Sequence, residues 1–491
     1  MRVLMLGWEF PPFIAGGLGT ACNGLTRALD RLGHEILFVL PRSADGMASE
    51  RVRIVGPNAI TETVAKASAQ RSQFMEISAD PEAAKPIVDP SGVPVPPSTP
   101  ITPGSAPGFR HTRFVAVPSG TTSPYENFDA SVEGSLEVLE EGSEATVAAG
   151  TVQMSRRQKQ ALASAGVYVS ESDAFVAASQ DHYGGDMLGD AARYARFVAA
   201  LTEVETFDVI HAHDWMTYAA GVVASRLSGK PLVAHVHSTE FDRSGENVNQ
   251  RIYDIERMGM HCADRLIAVS RLTKSICTRR YGVEADKVEV VYNGIDDDHV
   301  QPGAGQTIAS TDKIVLFLGR ITMQKGPEYF VRAARRVLDK YQDVKFVVAG
   351  SGDMAVKMIE EAAHLNIGHK VLFTGFLRGK DVDRVFQMAD CYVMPSVSEP
   401  FGIAPLEAMK NDVPVIISKQ SGVSEVLTHA LKVDFWDIDD MANKIIAVLR
   451  HPPLSQTLRQ HGPLELRGLS WDGAAKRTAS VYEAVRSVAM V

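Results

Sequence analysis

Asp390-Cys391-Tyr392-Val393-Met394-Pro395, followed closely by Glu399-Pro400-Phe401-Gly402-Ile403-Ala404-Pro405-Leu406-Glu407, reads as a buried strand, a glycine turn and a short helix from Ala404 to Lys410. An apolar strand feeding a helix is half of a βαβ unit, and such units build parallel sheets. Ligands of open α/β sheets bind at strand carboxyl ends, where a helix N-terminus offers unpaired N–H groups to phosphate. The two carboxylates flank that turn. Glu399 is expected to face a sugar, with Glu407 one to two helical turns deeper. Each can accept from a pair of hydroxyls, so the two suit a hexose and a ribose. The competing reading is a solvated glutamate on each side of a loop, which is the usual place for a lone charge.

A second element of the same kind lies upstream. The strand Lys313 to Leu318 runs into Gly319 and then two cations, Arg320 and Lys325. A planar guanidinium fork and a point charge together suit a diphosphate. Negative charge that develops on a departing nucleoside diphosphate would be stabilised by fixed cations at that place.

Three further segments complete the set: Trp8-Glu9-Phe10-Pro11-Pro12-Phe13-Ile14-Ala15-Gly16-Gly17-Leu18-Gly19, His211-Ala212-His213-Asp214-Trp215 and Asn293-Gly294-Ile295-Asp296. In this order, with the Arg-x4-Lys pair and E-x7-E, the chain resembles a retaining glycosyltransferase of the GT-B fold, close to the bacterial glycogen and starch synthases and the broad nucleotide-sugar glycosyltransferase family. The resemblance covers Met1 to about Pro41 and about Phe207 to the end. It implies α/β architecture with two Rossmann-like doubly wound domains facing across a cleft. It departs from the synthases at Ile14, where they usually carry a lysine, which leaves the donor nucleotide open.

By this resemblance, Gly16, Gly17 and Leu18 bring backbone N–H groups to the donor diphosphate, and His213, Arg320, Lys325 and Glu399 are the catalytic set. Gly402 and Ile403 present amides, Gly375 meets the base, Glu407 the ribose, and Glu9 and His237 touch sugar or acceptor. The implied reaction moves glucose from ADP-glucose or UDP-glucose to the non-reducing end of an α-1,4-glucan, with a sugar nucleotide as co-substrate, no other cofactor and no metal. A different acceptor (small sugar, phosphosugar or lipid-linked glycan), a non-catalytic sugar-nucleotide-binding protein and a sugar-nucleotide epimerase remain as alternatives. Alternation along Val233-Ala234-His235-Val236-His237 is read as sending at most one histidine to the cleft, and His211 is read as pointing away from it.

Composition fits without deciding. With 491 residues the chain has room for two cores, and a net charge of −9 disfavours a general nucleic-acid surface. Cys22, Cys262, Cys277 and Cys391 lack metal or disulfide spacing and read as buried thiols of a reducing cytoplasm. No apolar run is long enough to span a bilayer. Domains are expected at 1–300 and 301–470, with a helix over 471–491 crossing back to the first and a hinge near Asp296 to Asp312. From Arg42 to about Asp186 order breaks down, with prolines dense between Asp80 and Gly108 and acidic residues between Glu133 and Glu144. An insertion is expected there, carrying a helix near Ser155 to Ala165. Gly350-Ser351-Gly352 reads as a plain strand-to-helix turn, because no carboxylate follows at the distance a dinucleotide ribose needs.

Overall fold

The computed structural model describes residues 1–11, 16–41, 111–116, 152–167, 174–175, 187–296 and 312–489. In chain order its elements are β1 (Arg2–Leu6), α1 (Gly17–Arg31), β2 (Glu35–Leu40), β3 (Thr112–Ala116), β4 (Val152–Gln153), α2 (Arg156–Ser164), β5 (Ala174–Phe175), α3 (Met187–Val204), β6 (Val209–His213), α4 (Trp215–Ser228), β7 (Leu232–Val236), α5 (Glu240–Ser244), α6 (Gln250–Cys262), β8 (Arg265–Ala268), α7 (Arg271–Tyr281) and β9 (Val288–Val290). There follow β10 (Lys313–Leu318), α8 (Pro327–Leu338), β11 (Val344–Ala349), α9 (Ala355–His364), β12 (Val371–Gly375), α10 (Lys380–Met388), β13 (Cys391–Met394), α11 (Ala404–Lys410), β14 (Val415–Ser418), β15 (Leu431–Val433), α12 (Ile438–Arg450), α13 (Pro452–Leu466) and α14 (Trp471–Ala489).

Among the described residues two parallel sheets form, ordered β3-β2-β1-β6-β7-β8-β9 and β12-β11-β10-β13-β14-β15. Both run outward from a first strand, return, and continue on its other side. This doubly wound order creates a switch point between β1 and β6 and another between β10 and β13.

The strands are near-continuous apolar runs because both faces are covered. Their period of two divides the core. Leu4, Leu6, Val39, Ile210 and Ala234 pack on one face of the first sheet, whereas Val3, Met5, Phe38, Val209 and Val233 pack on the other. In the second sheet Val315, Phe317, Phe346 and Val393 face one way and Leu316, Val347, Tyr392 and Met394 the other.

The stretch read as lacking order supplies β3, which extends the first sheet beside β2. The segment is short and β-prone, and the proline-dense sequence around it hides the signal. The helix near Ser155 is α2, opened by a capping box between Ser155 and Gln158. The proline-dense and acidic segments lie outside the described residues, as does the hinge except for its end residues Asp296 and Asp312. Cys262 corrects the reading of the thiols. It ends α6 facing solvent, while Cys22, Cys277 and Cys391 are buried, and all four are free.

The last helix leaves the second sheet and enters the core of the first. Trp471, Ala475, Tyr482 and Val485 pack there with Val3, Met5 and Leu25. Where the chain returns, Ile295 N–H donates to the Leu469 carbonyl at 2.8 Å, and Ile295 and Ser470 form a parallel bridge. Gly294 makes that approach feasible: a Cβ there would stand 2.3 Å from the Trp471 backbone nitrogen and 2.5 Å from the Ser470 carbonyl carbon. Backbone cannot yield as a side chain can. Gly294→Ala is therefore expected to destabilise by about 1–3 kcal/mol in chemical denaturation, and an unchanged midpoint would show that the crossing tolerates separation.

Candidate functional site

Both switch points open onto one cleft of about 330 Å³. From the first sheet, the loop after β1 contributes Gly16, Gly17 and Leu18, and the end of β7 contributes His237 and Ser238. From the second come Gly319 and Arg320 after β10, and Ser396, Glu399, Gly402, Ile403 and Glu407 after β13. Strand carboxyl ends of the two sheets thus face each other.

Glu399 is the centre of the polar wall. It is buried, and its Oε2 accepts from Lys325 Nζ at 2.6 Å and from Ser396 Oγ at 3.1 Å. The loop that carries Lys325 is fixed to the loop that carries Glu399: Gln324 Nε2 donates to the Ser398 carbonyl at 3.1 Å, and Val397 N–H donates to the Gln324 carbonyl at 2.9 Å. Arg320 Nη2 donates to Gln324 Oε1 at 3.3 Å. The two predicted cations and one predicted carboxylate therefore form a single hydrogen-bonded unit instead of acting at separate places. Gly402, at φ +100°, turns the chain where a Cβ would lie 3.1 Å from Glu399 Cγ. Glu407 sits in the first turn of α11, and burial raises its carboxyl to about 7, with Asp383 adding to the rise.

Behind His237 stands a ladder of four imidazoles. His211 stacks on His213 with centroids 4.2 Å apart, and His235 on His237 at 4.1 Å. His213 Nδ1 lies 2.8 Å from His237 Nε2, and His211 Nε2 lies 3.1 Å from His235 Nδ1. His211 Nδ1 meets the Tyr482 hydroxyl of α14 at 2.5 Å. This corrects the reading that alternation separates these residues: positions two apart on a strand share a face, and β6 and β7 pair in register at His211–Val233 and His213–His235. Burial lowers His211 and His237 to about 3, so the rings are neutral. Asp214, at φ 59°, accepts at Oδ1 from the N–H of His237 at 2.7 Å and of Ser238 at 3.3 Å. Burial lifts its carboxyl to about 7.

Residues 2–85 match the family described as the starch synthase catalytic domain, residues 142–299 glycosyltransferase family 4, and residues 304–464 glycosyl transferases group 1. An uncharacterized glycosyltransferase of Methanocaldococcus jannaschii is 33% identical over 298 residues, covering 57% of this chain and 76% of that protein. The chain belongs to the glycosyltransferases. Glycogen synthase of Mycobacterium tuberculosis is 25% identical over 287 residues, covering 57% and 69% of the two chains. A galactosyltransferase of Escherichia coli acting on GlcNAc-diphosphoundecaprenol is 26% identical over 264 residues, covering 50% and 68%. Among solved structures, sucrose-phosphate synthase of Thermosynechococcus elongatus aligns with TM-score 0.63 at 17% identity, covering 99% of this chain and 100% of that one. Anabaena HepE in complex with UDP and glucose aligns at 0.61 and 15%, with the same coverage. The fold of this glycosyltransferase is GT-B.

Three residues singled out from the sequence stand off the cleft wall. Glu9 is buried. His213 is buried behind His237. Gly375 directs its carbonyl to Gly350 N–H at 2.9 Å, and Phe376 and Leu377 line the cleft beside it. The Gly350-Ser351 turn, read as plain, is part of the wall. Its signal was the glycine itself. Gly350 has φ +145°, and a Cβ there would lie 1.8 Å from the Gly319 carbonyl oxygen, so two glycine loops meet where only glycine fits. Among the described residues no helix is long and apolar enough to cross a membrane.

These groups give stability opposing pH slopes. His211 and His237 titrate near 3 in the fold and at 6.5 when free. The unfolded chain binds more protons between those values, so stability rises with pH there. Glu407 holds its proton to about 7 against 4.5 when free, so its contribution falls as pH rises through that window. Glu407→Gln should remove the share of the falling component that Glu407 supplies, leaving that of Asp214, in thermal melts from pH 4.5 to 7. A profile parallel to wild type would mean Glu407 ionises freely.

Proposed function

We propose that this glycosyltransferase transfers a glucosyl unit, with retention of configuration, from ADP-glucose or UDP-glucose to the non-reducing end of an α-1,4-glucan. The observation that carries the proposal is the Lys325–Glu399 pair, 2.6 Å long, placed with Arg320 at the switch point of the second sheet. A donor entering between the sheets supplies phosphate charge for Lys325 and Arg320. Lys325 then exchanges part of its contact with Glu399 for the departing phosphate oxygens. Fixed cations at a site of developing negative charge lower the barrier without reorganising.

Glu399 accepts from sugar hydroxyls and supports the positive anomeric centre. The departing phosphate oxygen takes the proton of the acceptor hydroxyl as the new glycosidic bond forms on the same face, so neither a covalent enzyme intermediate nor a metal is required. Backbone N–H groups at Gly16, Gly17 and Leu18 reach the diphosphate from the opposite side, while Gly402 and Ile403 hold the sugar end. Glu407 takes the ribose, with the Gly375–Leu377 turn against the base. The pair His213 and His237 faces the hexose through His237, which positions the 6-hydroxyl without acting as a nucleophile. Closure of the sheets would exclude water and limit donor hydrolysis.

Similarity to glycogen synthase makes a glucan the first acceptor to test. The galactosyltransferase relative, whose name specifies a diphosphoundecaprenol acceptor, supports a lipid-linked acceptor as the second. Free thiols at all four cysteines accord with a proposed cytoplasmic location.

The deciding assay follows nucleoside diphosphate release from each donor with and without glycogen, with product anomers read by NMR. Primer-dependent release of an α-linked product is expected, and Glu399→Gln should slow it by roughly 10²–10³. If neither donor lengthens a glucan while a lipid-linked acceptor is glycosylated, the glucan reading is replaced by the second. Release without any acceptor would point to hydrolysis or epimerase-like chemistry.

A further inference from the structure

We propose that Cys22, His213 and His237 form a binding site for a thiophilic transition-metal cation of the Zn²⁺ class, opening onto the cleft through His237. One ligand atom from each of the three lies within 4.8 Å of the others. A tetrahedral ion with Zn–S of about 2.3 Å and Zn–N of about 2.0 Å places its ligand atoms about 3.3–3.6 Å apart. Coordination therefore contracts the triplet from its present spacing. His213 Nε2 is buried with no hydrogen-bond partner among the described residues. An unsatisfied buried ring nitrogen carries an uncompensated desolvation cost, and a cation would remove it.

Asp214 Oδ2 is a second buried polar atom without a partner among the described residues. One thiolate and two imidazoles suit Zn²⁺ over Mg²⁺ or Ca²⁺, which take oxygen ligands. Binding displaces water from the hydrated ion, releases the Cys22 proton to solvent, and forms one metal–sulfur and two metal–nitrogen bonds. The path in is short, because His237 lines the cleft together with Leu18 and Thr20. A cation held there would engage His237, which lines the cleft, and so act as a brake on the transfer proposed above.

The test is metal binding itself, read without turnover. Full-length protein stripped with a chelator is titrated with Co²⁺ and followed by absorbance, and Zn²⁺ binding is measured by equilibrium dialysis. A saturable thiolate-to-cobalt charge-transfer band at one equivalent, displaced by Zn²⁺, is expected. Cys22→Ala should lose the band, and both it and His237→Gln should weaken Zn²⁺ binding by at least about 10-fold, with near-UV circular dichroism reporting whether each variant is folded. His237→Gln alters a residue at the cleft wall, so it remains informative if Cys22→Ala fails to fold. Absence of the band, or equal Zn²⁺ affinity in wild type and a folded His237→Gln, would overturn the site and assign any binding to other groups. Failure of the glucan assay leaves this result unaffected.

Discussion

A strand that leaves a parallel sheet where the strand order reverses has its next crossover on the other side, so its carboxyl end stays uncovered. Everything functional in this chain hangs on that constraint applied twice. After β1 it leaves a glycine loop open, and His237 reaches the same crevice from the end of β7. After β10 and β13 it leaves Arg320, Lys325 and Glu399 open. Because the two sheets present these ends to each other, residues from the strand ends and following loops of both share one cleft.

The sequence carried the scaffold well and the pairings poorly. Mainly apolar runs such as Glu35–Leu40, Val344–Ala349 and Cys391–Met394 are short and bounded like strands, and Ala404–Lys410 has proline in its first turn and a basic last turn. Such elements are local, so local pattern finds them. The pairing of Lys325 with Glu399 joins residues 74 apart in the chain and cannot be read from either segment alone. What could be read was their chemical kind. The histidines were legible as residues but misread in direction, since the two-residue spacing that looks like alternation places both members of each pair on one face. β3 was concealed by its proline-dense surroundings, and the Gly350 turn was set aside because the comparison made was with a dinucleotide site.

The cleft combines two dielectric regimes. Lys325 and Glu399 are joined at 2.6 Å, each occupying part of the other's hydrogen-bonding capacity. The histidine ladder remains neutral because burial disfavours charge on its rings. Glu407 and Asp214 lie between these limits, each a carboxyl whose burial brings its titration to about 7. Under the proposed function, a nucleotide sugar would meet charged side chains at its phosphate end, neutral donors and acceptors at its hexose, and a buried carboxyl deeper in.

The final helix also sets an order of events during synthesis. Trp471 and Tyr482 belong to the core built on β1 and α1, and Tyr482 ends the histidine ladder. A ribosome will have released the whole of the second sheet before it supplies these residues. The first half of the chain must therefore wait, with an apolar groove beside α1 still open, while the later half is able to fold. The part made first is completed last, and the groove is the surface that a chaperone would have reason to hold in the interval.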